Sequence, residues 1–189
     1  MLLFLCVNLF GYFEDGEHFS ETFKQPRKFR VFLPDDYKKN SDQRYPVIYY
    51  CHGMSGRYAW DAYDQDSLGR YRFNGEFLDF SSAHQAIIVN VDGYLGLPSK
   101  KLREEIPMGT RPYYDEMTHQ GGKFIKNIEK GKGFRFTLYI RELVAHIDRT
   151  YRTKDSPQHR GISGLSMGGH AAIFIGSSNP HISTLPQPS

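Results

Sequence analysis

Two short, nearly continuous apolar runs constrain this chain more than any other feature. Pro46-Val47-Ile48-Tyr49-Tyr50-Cys51 is closed by His52-Gly53, and Ala86-Ile87-Ile88-Val89-Asn90-Val91 by Asp92-Gly93. A strand with one wet face alternates apolar and polar residues. Continuous β-branched runs instead suit strands covered on both faces, as in a parallel sheet flanked by helices. Lys28-Phe29-Arg30-Val31-Phe32-Leu33 does alternate and reads as a half-buried strand, ended by Pro34-Asp35-Asp36. From Phe136 the period changes. Phe136, Ile140, Leu143, Val144, Ile147 and Tyr151 fall on one helical face, with Arg141, Glu142 and Arg149 on the other. Lys154-Asp155-Ser156-Pro157 breaks that helix. Arg160 to Gly164 reads as a short strand and Met167 to Ser178 as a small-residue apolar helix. Strands alternating with helices predict an α/β fold with a mostly parallel sheet and helices on both faces.

Composition removes several function classes. At 189 residues the chain suits one domain, and 39 % hydrophobic with 15 % aromatic residues is enough to bury a core, which excludes a wholly disordered chain. Two cysteines, Cys6 and Cys51, allow at most one bridge and exclude a disulfide scaffold. The net charge of +3 is spread along the chain, whereas a nucleic-acid binder concentrates Lys and Arg on one stripe. No apolar run reaches the roughly 18 residues of a membrane span. The histidines show no paired metal-ligand spacing, so neither metal nor cofactor is expected.

Three segments are expected. Residues 1–26 hold the apolar run Met1 to Phe10 and a first strand, residues 27–180 the α/β domain, and residues 181–189 an unrelated tail. The apolar run suits the core of a secretion signal but lacks a basic start and a small-residue cleavage site. A mis-assigned start, or a strand on the core, explains it equally. Export from the cytoplasm is the expectation, with a cytoplasmic protein as the alternative. The polar, Gly-containing stretch from Tyr94 to Gly133 is too long for an ordinary connection and reads as a functional insertion.

The chemistry centres on Gly164-Leu165-Ser166-Met167-Gly168, a G-x-S-x-G run with a strand before it and a helix after. A nucleophilic serine there sits on a sharp strand-to-helix turn. Gly164 and Gly168 remove side chains that would collide across the turn. The helix N-terminus favours developing negative charge. The competing reading is a Gly-rich turn with an ordinary serine. A second turn, His52-Gly53-Met54-Ser55-Gly56, follows the Cys51 strand. It would let the N–H groups of Met54 and Met167 form an oxyanion hole, or it is a plain loop. Trp60 and Tyr63 suit contact with a sugar or an aromatic acyl group, or surface packing. Asp92 suits the rim of the site or a simple Asp-Gly turn. Cys51 and His52 are adjacent, so on a strand they face opposite ways and form no dyad; Cys51 belongs in the core.

Three stretches together resemble a known family: Tyr45 to Gly53, Tyr139 to Asp148, and His159-Arg160-Gly161-Ile162-Ser163-Gly164-Leu165-Ser166-Met167-Gly168-Gly169-His170. They look like the putative-esterase family of α/β-hydrolases, which includes feruloyl and acetyl-xylan esterases, esterase D and the antigen 85 mycolyltransferases. Arg30-Val31-Phe32-Leu33-Pro34 fits the family's opening strand. The resemblance runs from about Arg27 to Pro180. It implies a serine hydrolase or acyltransferase with a Ser–Asp/Glu–His triad, Ser166 as nucleophile, and Met54 and Met167 as oxyanion donors. It also implies a small ester or an acylated saccharide as substrate.

The chain departs from that pattern after the serine. The triad order in this fold is Ser, then acid, then His. The 23 residues after Ser166 contain no Asp or Glu, and their two histidines are His170, in the helix that the serine starts, and His181. The expectation is therefore a C-terminally truncated serine esterase, without triad acid and base, inactive alone, and with the motif strand unpaired on its outer edge. The alternatives are a non-catalytic carbohydrate-binding remnant and an acyltransferase. Nothing in the sequence sets the oligomeric state.

Overall fold

The computed structural model describes residues 12–53, 58–59, 72–93 and 136–182. The Met1 to Phe10 run, Met54, Trp60, Tyr63, the Tyr94 to Gly133 stretch and the last seven residues lie outside the described residues. Strand β1 is Tyr12–Ser20, β2 Gln25–Leu33 and β3 Val47–Cys51. Helix α1 is Arg72–His84, β4 Ile87–Val91 and α2 Phe136–Thr150. A short 3-10 turn, Pro157–His159, leads into β5, Arg160–Gly164, and α3, Met167–Ser178.

The five strands form one sheet in the order β1-β2-β4-β3-β5. The expectation of a mostly parallel sheet is corrected: the sheet is mixed. β1 pairs with β2 and β2 with β4 antiparallel, while β4–β3 and β3–β5 are parallel. The reason is connection length. Only residues 21–24 separate β1 from β2, enough for a hairpin and too few for a parallel crossover. The parallel neighbours β3 and β4 are separated by a stretch long enough to hold α1. That helix was not read from the sequence. The signal that marks it is the span itself, because a parallel return requires a crossover.

Both faces of the sheet are covered by helices, as the two continuous runs require. Val47, Tyr49 and Cys51 of β3, with Ile87, Val89 and Val91 of β4, face one side. There they meet Phe136, Tyr139, Ile140, Leu143, Val144 and Ile147 of α2, and Ala171 and Ile175 of α3. On the other side, Phe77 of α1 packs against Phe32 and Tyr50 with ring centroids 5.1 and 4.8 Å apart. Strand β2 is therefore not half-buried: Phe29 to Leu33 are all buried. Arg30 is accommodated there because Asp15, its partner on β1, accepts two hydrogen bonds from the guanidinium at 2.6 and 2.9 Å. Alternation alone could not reveal that a buried arginine was paired.

Candidate active site

The parallel strands β3, β4 and β5 end at one edge of the sheet, and the candidate residues gather there. β5 ends at Gly164 and α3 begins at Met167, so two residues make the turn between them. Ser166 occupies it with φ 53° and ψ −117°. A positive φ is costly for a residue with a Cβ and persists only where the surroundings impose it. Here Leu165 N–H donates to the Cys51 carbonyl at 3.1 Å, and Gly168 and Gly169 N–H donate to the Leu165 and Ser166 carbonyls at 2.8 and 2.9 Å. These bonds close the turn on both sides of the serine. Its side chain is left exposed, as are those of Leu165 and His170.

The two motif glycines are required by contact with the backbone. A Cβ on Gly168 would lie 2.6 Å from the Cys51 carbonyl carbon and the His52 oxygen, and nearer still to the Cys51 oxygen. A Cβ on Gly164 would lie 2.6 Å from the Cys51 oxygen and would overlap the Gly168 carbonyl. The strand-to-helix turn thus wedges against the end of β3. Gly53 differs: its Cβ would make ordinary contacts, 3.5 Å from the Leu165 oxygen and 3.8 Å from the Ser166 Cβ. It nevertheless places the loop after β3 directly beside the serine. Met167, the first residue of α3, carries an N–H that the helix itself cannot pair.

His52 and Asp92 sit at the ends of β3 and β4. Both are buried. His52 Nδ1 lies 2.7 Å from the Gly53 oxygen, and Gly93 N–H donates to Nε2 at 3.1 Å. A carbonyl only accepts and an amide N–H only donates. The ring is therefore the neutral tautomer with its hydrogen on Nδ1. Asp92 Oδ1 lies 3.9 Å from Nε2, a contact with a neutral ring and not an ion pair. With both nitrogens engaged by backbone, His52 is not placed to take a proton from Ser166. The Asp92 carbonyl accepts a hydrogen bond from Arg27, which ties the end of β4 to β2. Cys51 is fully buried, and burial pushes its thiol up to about 12. Its contribution to the site is its carbonyl.

The structure thus gathers Ser166, Gly164, Gly168, Met167 and Asp92 at one sheet edge. Met54, Trp60 and Tyr63 lie outside the described residues. Sequence reading assigned no role to the Cys51 carbonyl or the His52 ring, because a main-chain acceptor and a tautomer leave no mark in the residue code. Among the described residues no group of three or more His, Cys, Asp or Glu could hold a metal ion. No described helix is long and apolar enough to cross a membrane.

A family model described as "Putative esterase" matches residues 20–182. The chain belongs to this esterase family. It is thereby related to the α/β-hydrolases, whose arrangement of helices around a central sheet it shares. Solved structures of similar fold include a ferulic acid esterase at 24 % identity and a TM-score of 0.61, covering 92 % of this chain and 57 % of that one. S-formylglutathione hydrolase from Agrobacterium tumefaciens matches at 21 % identity and TM-score 0.61, with 93 % and 56 % covered. The CE1 ferulic acid esterase from Anaeromyces mucronatus matches at 22 % and 0.58, with 92 % and 56 % covered. At such identities the likeness shows the fold. This esterase-family chain spans less than three fifths of the length of each of these structures.

Proposed function

We propose that this esterase-family chain carries the nucleophile and oxyanion side of a serine esterase active site. The observation that carries the reading is the backbone of Ser166. A non-glycine residue is held at positive φ, exposed, at the first turn of a helix, by a strand end that leaves no room for side chains at Gly164 and Gly168. Lys24 and Gln85 also have positive φ, each in a turn, but Ser166 carries it where the turn is wedged against a strand end and opens a helix, which supports a functional turn over an ordinary one.

In the proposed reaction Ser166 Oγ attacks the carbonyl carbon of a carboxylic ester. The carbonyl oxygen takes the negative charge and meets the Met54 and Met167 N–H groups, near the positive end of α3. The alkoxide of the alcohol leaves with a proton, and the acyl group stays on the serine until water removes it. The serine proton passes to an imidazole oriented by an acid. Neither described candidate for that imidazole fits. His52 has both nitrogens bonded to backbone, and His170 lies one turn along α3 with its side chain exposed. The substrate class proposed is a small ester, with acyl side chains of polysaccharides as the finer proposal. That finer proposal rests on the sequence resemblance and on the names of two similar structures. Trp60, Tyr63 and Asp92 are its proposed contacts.

Treatment with a fluorophosphonate tests the reading. The expected result is one adduct per chain, located on Ser166 by peptide mass spectrometry and lost in Ser166→Ala. Equal labelling of that variant would overturn it.

A further inference from the structure

We propose that two copies of this chain pair edge to edge along β5, so that His159 of one copy accepts the proton of Ser166 of the other. The inference rests on the reading of Ser166 as nucleophile. Within one chain the two residues are far apart. His159 stands just before β5 and Ser166 just after it, and that strand, at roughly 3.3 Å per residue, keeps them about 17 Å apart or more.

β5 is an outermost strand of the sheet, and among the described residues only β3 pairs with it. Bonding direction alternates along a strand. Leu165 N–H donates to Cys51 of β3, so the N–H and C=O of Ile162 point the other way, out of the edge. Arg160 agrees, because its N–H turns to the Pro157 carbonyl and not to β3. The two edges of the sheet differ. β1, at the far edge, exposes Glu14, Asp15 and Glu17, which blunt pairing. β5 has no Pro, and its charged residue, Arg160, is buried and held by Asp148. Beside it packs α3, which contains no Asp, Glu, Lys or Arg and leaves Ile173 68 % exposed. A helix without a charged face suits a covered position.

The occupant that fits this edge is the same edge. An antiparallel pair is symmetric about its centre, so β5 meets a second copy of itself on a two-fold axis, with no exposed like charges brought together. Centring on Ile162 pairs the whole strand. Ile162 then exchanges both hydrogen bonds with its own copy, and each Gly164 N–H meets the Arg160 carbonyl opposite. That register sets Leu165 against His159 of the second copy, with Cα atoms about 5 Å apart. Ser166, the next residue, comes within reach of the imidazole. The ring is exposed and already oriented: Nδ1 lies 2.7 Å from Ser156 Oγ. Donation to that oxygen leaves the Nε2 lone pair for a proton, with the Ser156 hydroxyl in the place of an orienting acid. His52, by contrast, has both nitrogens engaged. As Ser166 Oγ bonds to the ester carbon, Nε2 takes its proton and passes it to the departing alkoxide. Water then attacks the acyl carbon, giving its proton to Nε2, which returns it to Ser166 as the acid leaves.

Mixing two crippled variants tests the shared site. Ser166→Ala keeps His159, and His159→Ala keeps Ser166. Each alone is expected to lose hydrolysis of p-nitrophenyl acetate by about a hundredfold or more. Mixed dilute in equal amounts and then concentrated, they should recover about a quarter of the wild-type rate, the share of sites that random pairing makes whole. Sedimentation velocity of the wild-type chain should show a dimer, with specific activity rising as the dimer forms. Ile162→Pro removes an outward N–H and spares the bonds to β3, so a folded monomer without turnover is expected. A wild-type chain that stays monomeric, a mixture that recovers nothing, or a His159→Ala chain as active as wild type would overturn the proposal. So would Ser166 that takes a fluorophosphonate label but turns nothing over. In each of these cases labelling of Ser166 still supports the nucleophile. A wild-type chain with no label on Ser166 would instead overturn that reading and the shared site with it.

Discussion

The backbone of Gly168 packs directly on the carbonyl of Cys51, so closely that a single methyl group at 168 would overlap main-chain atoms. Main chain cannot swing aside as a long side chain can. Gly168→Ala is expected to destabilise the fold by about 3 kcal/mol, the upper end of overpacking costs. Gly53→Ala, whose methyl finds ordinary contacts, should stay within about 1 kcal/mol. Urea unfolding of the two variants checks the contrast; equal stability would show that the turn relaxes.

Asn90 is expected to respond in the opposite direction. It lies on β4 between Arg30 and Tyr50 in register, is 1 % exposed, and neither side-chain amide atom has a hydrogen-bond partner. A buried amide without partners is a cost that an apolar group of similar shape does not carry. Asn90→Leu should raise stability by about 1 kcal/mol, read as a higher urea midpoint. A fall of similar size would mean that an ordered water satisfies the amide.

Acid should loosen the contact between the β1–β2 hairpin and α2. His18 and His146 stack with ring centroids 5.0 Å apart. Burial lowers both below the usual histidine range, with the neighbouring His146 adding to the effect on His18 and Arg149 to that on His146. A histidine whose folded value is lowered binds protons more weakly in the native state than in the unfolded one. Its stability contribution is whole above the unfolded value of 6.5 and is lost as pH falls from there through the folded values. Glu142 adds a second, more acidic step. Burial opposes its ionisation, but hydrogen bonds from Ser20 and Thr22 outweigh it and hold the carboxyl below its usual 4.5. The urea midpoint is expected to drop between pH 7.5 and pH 5, and less steeply in His146→Leu. A variant that follows the wild-type curve would remove the histidine pair from the account.

Cys51 should be inert in the native chain. Its side chain is fully buried and its thiol is pushed up to about 12 by that burial, so almost no thiolate exists at pH 8. In a Cys6→Ser background, an aromatic disulfide reagent is expected to react only after denaturant is added. Rapid reaction of the folded protein would place the end of β3 at the surface.

Much of the architecture was legible because it is written in local patterns. Arg160 to Gly164 and Met167 to Ser178 read as strand and helix with the bounds the structure has, since two glycines and a change of period punctuate them. The face of α2 was legible from its apolar spacing, apart from Tyr139, whose ring is buried beside Phe136 and Phe23. Helix α1 was not legible. Its sequence interrupts Phe73, Phe77, Leu78 and Phe80 with Gly75 and polar residues, and its place comes from the crossover between β3 and β4. The direction of β2 was equally hidden, because period-2 alternation is the same for parallel and antiparallel neighbours.

The sequence by itself determined the types of β2 to β5, α2 and α3, the two continuous buried runs and the serine between two glycines, because each is a property of neighbours along the chain. Only the tertiary structure decided which strands run antiparallel and that Asp15 meets Arg30. It alone brought the Cys51 carbonyl to close the serine turn and gave the His52 ring a fixed tautomer. Each of those depends on groups far apart in sequence, and their hydrogen bonds exist only once the sheet has placed donor opposite acceptor.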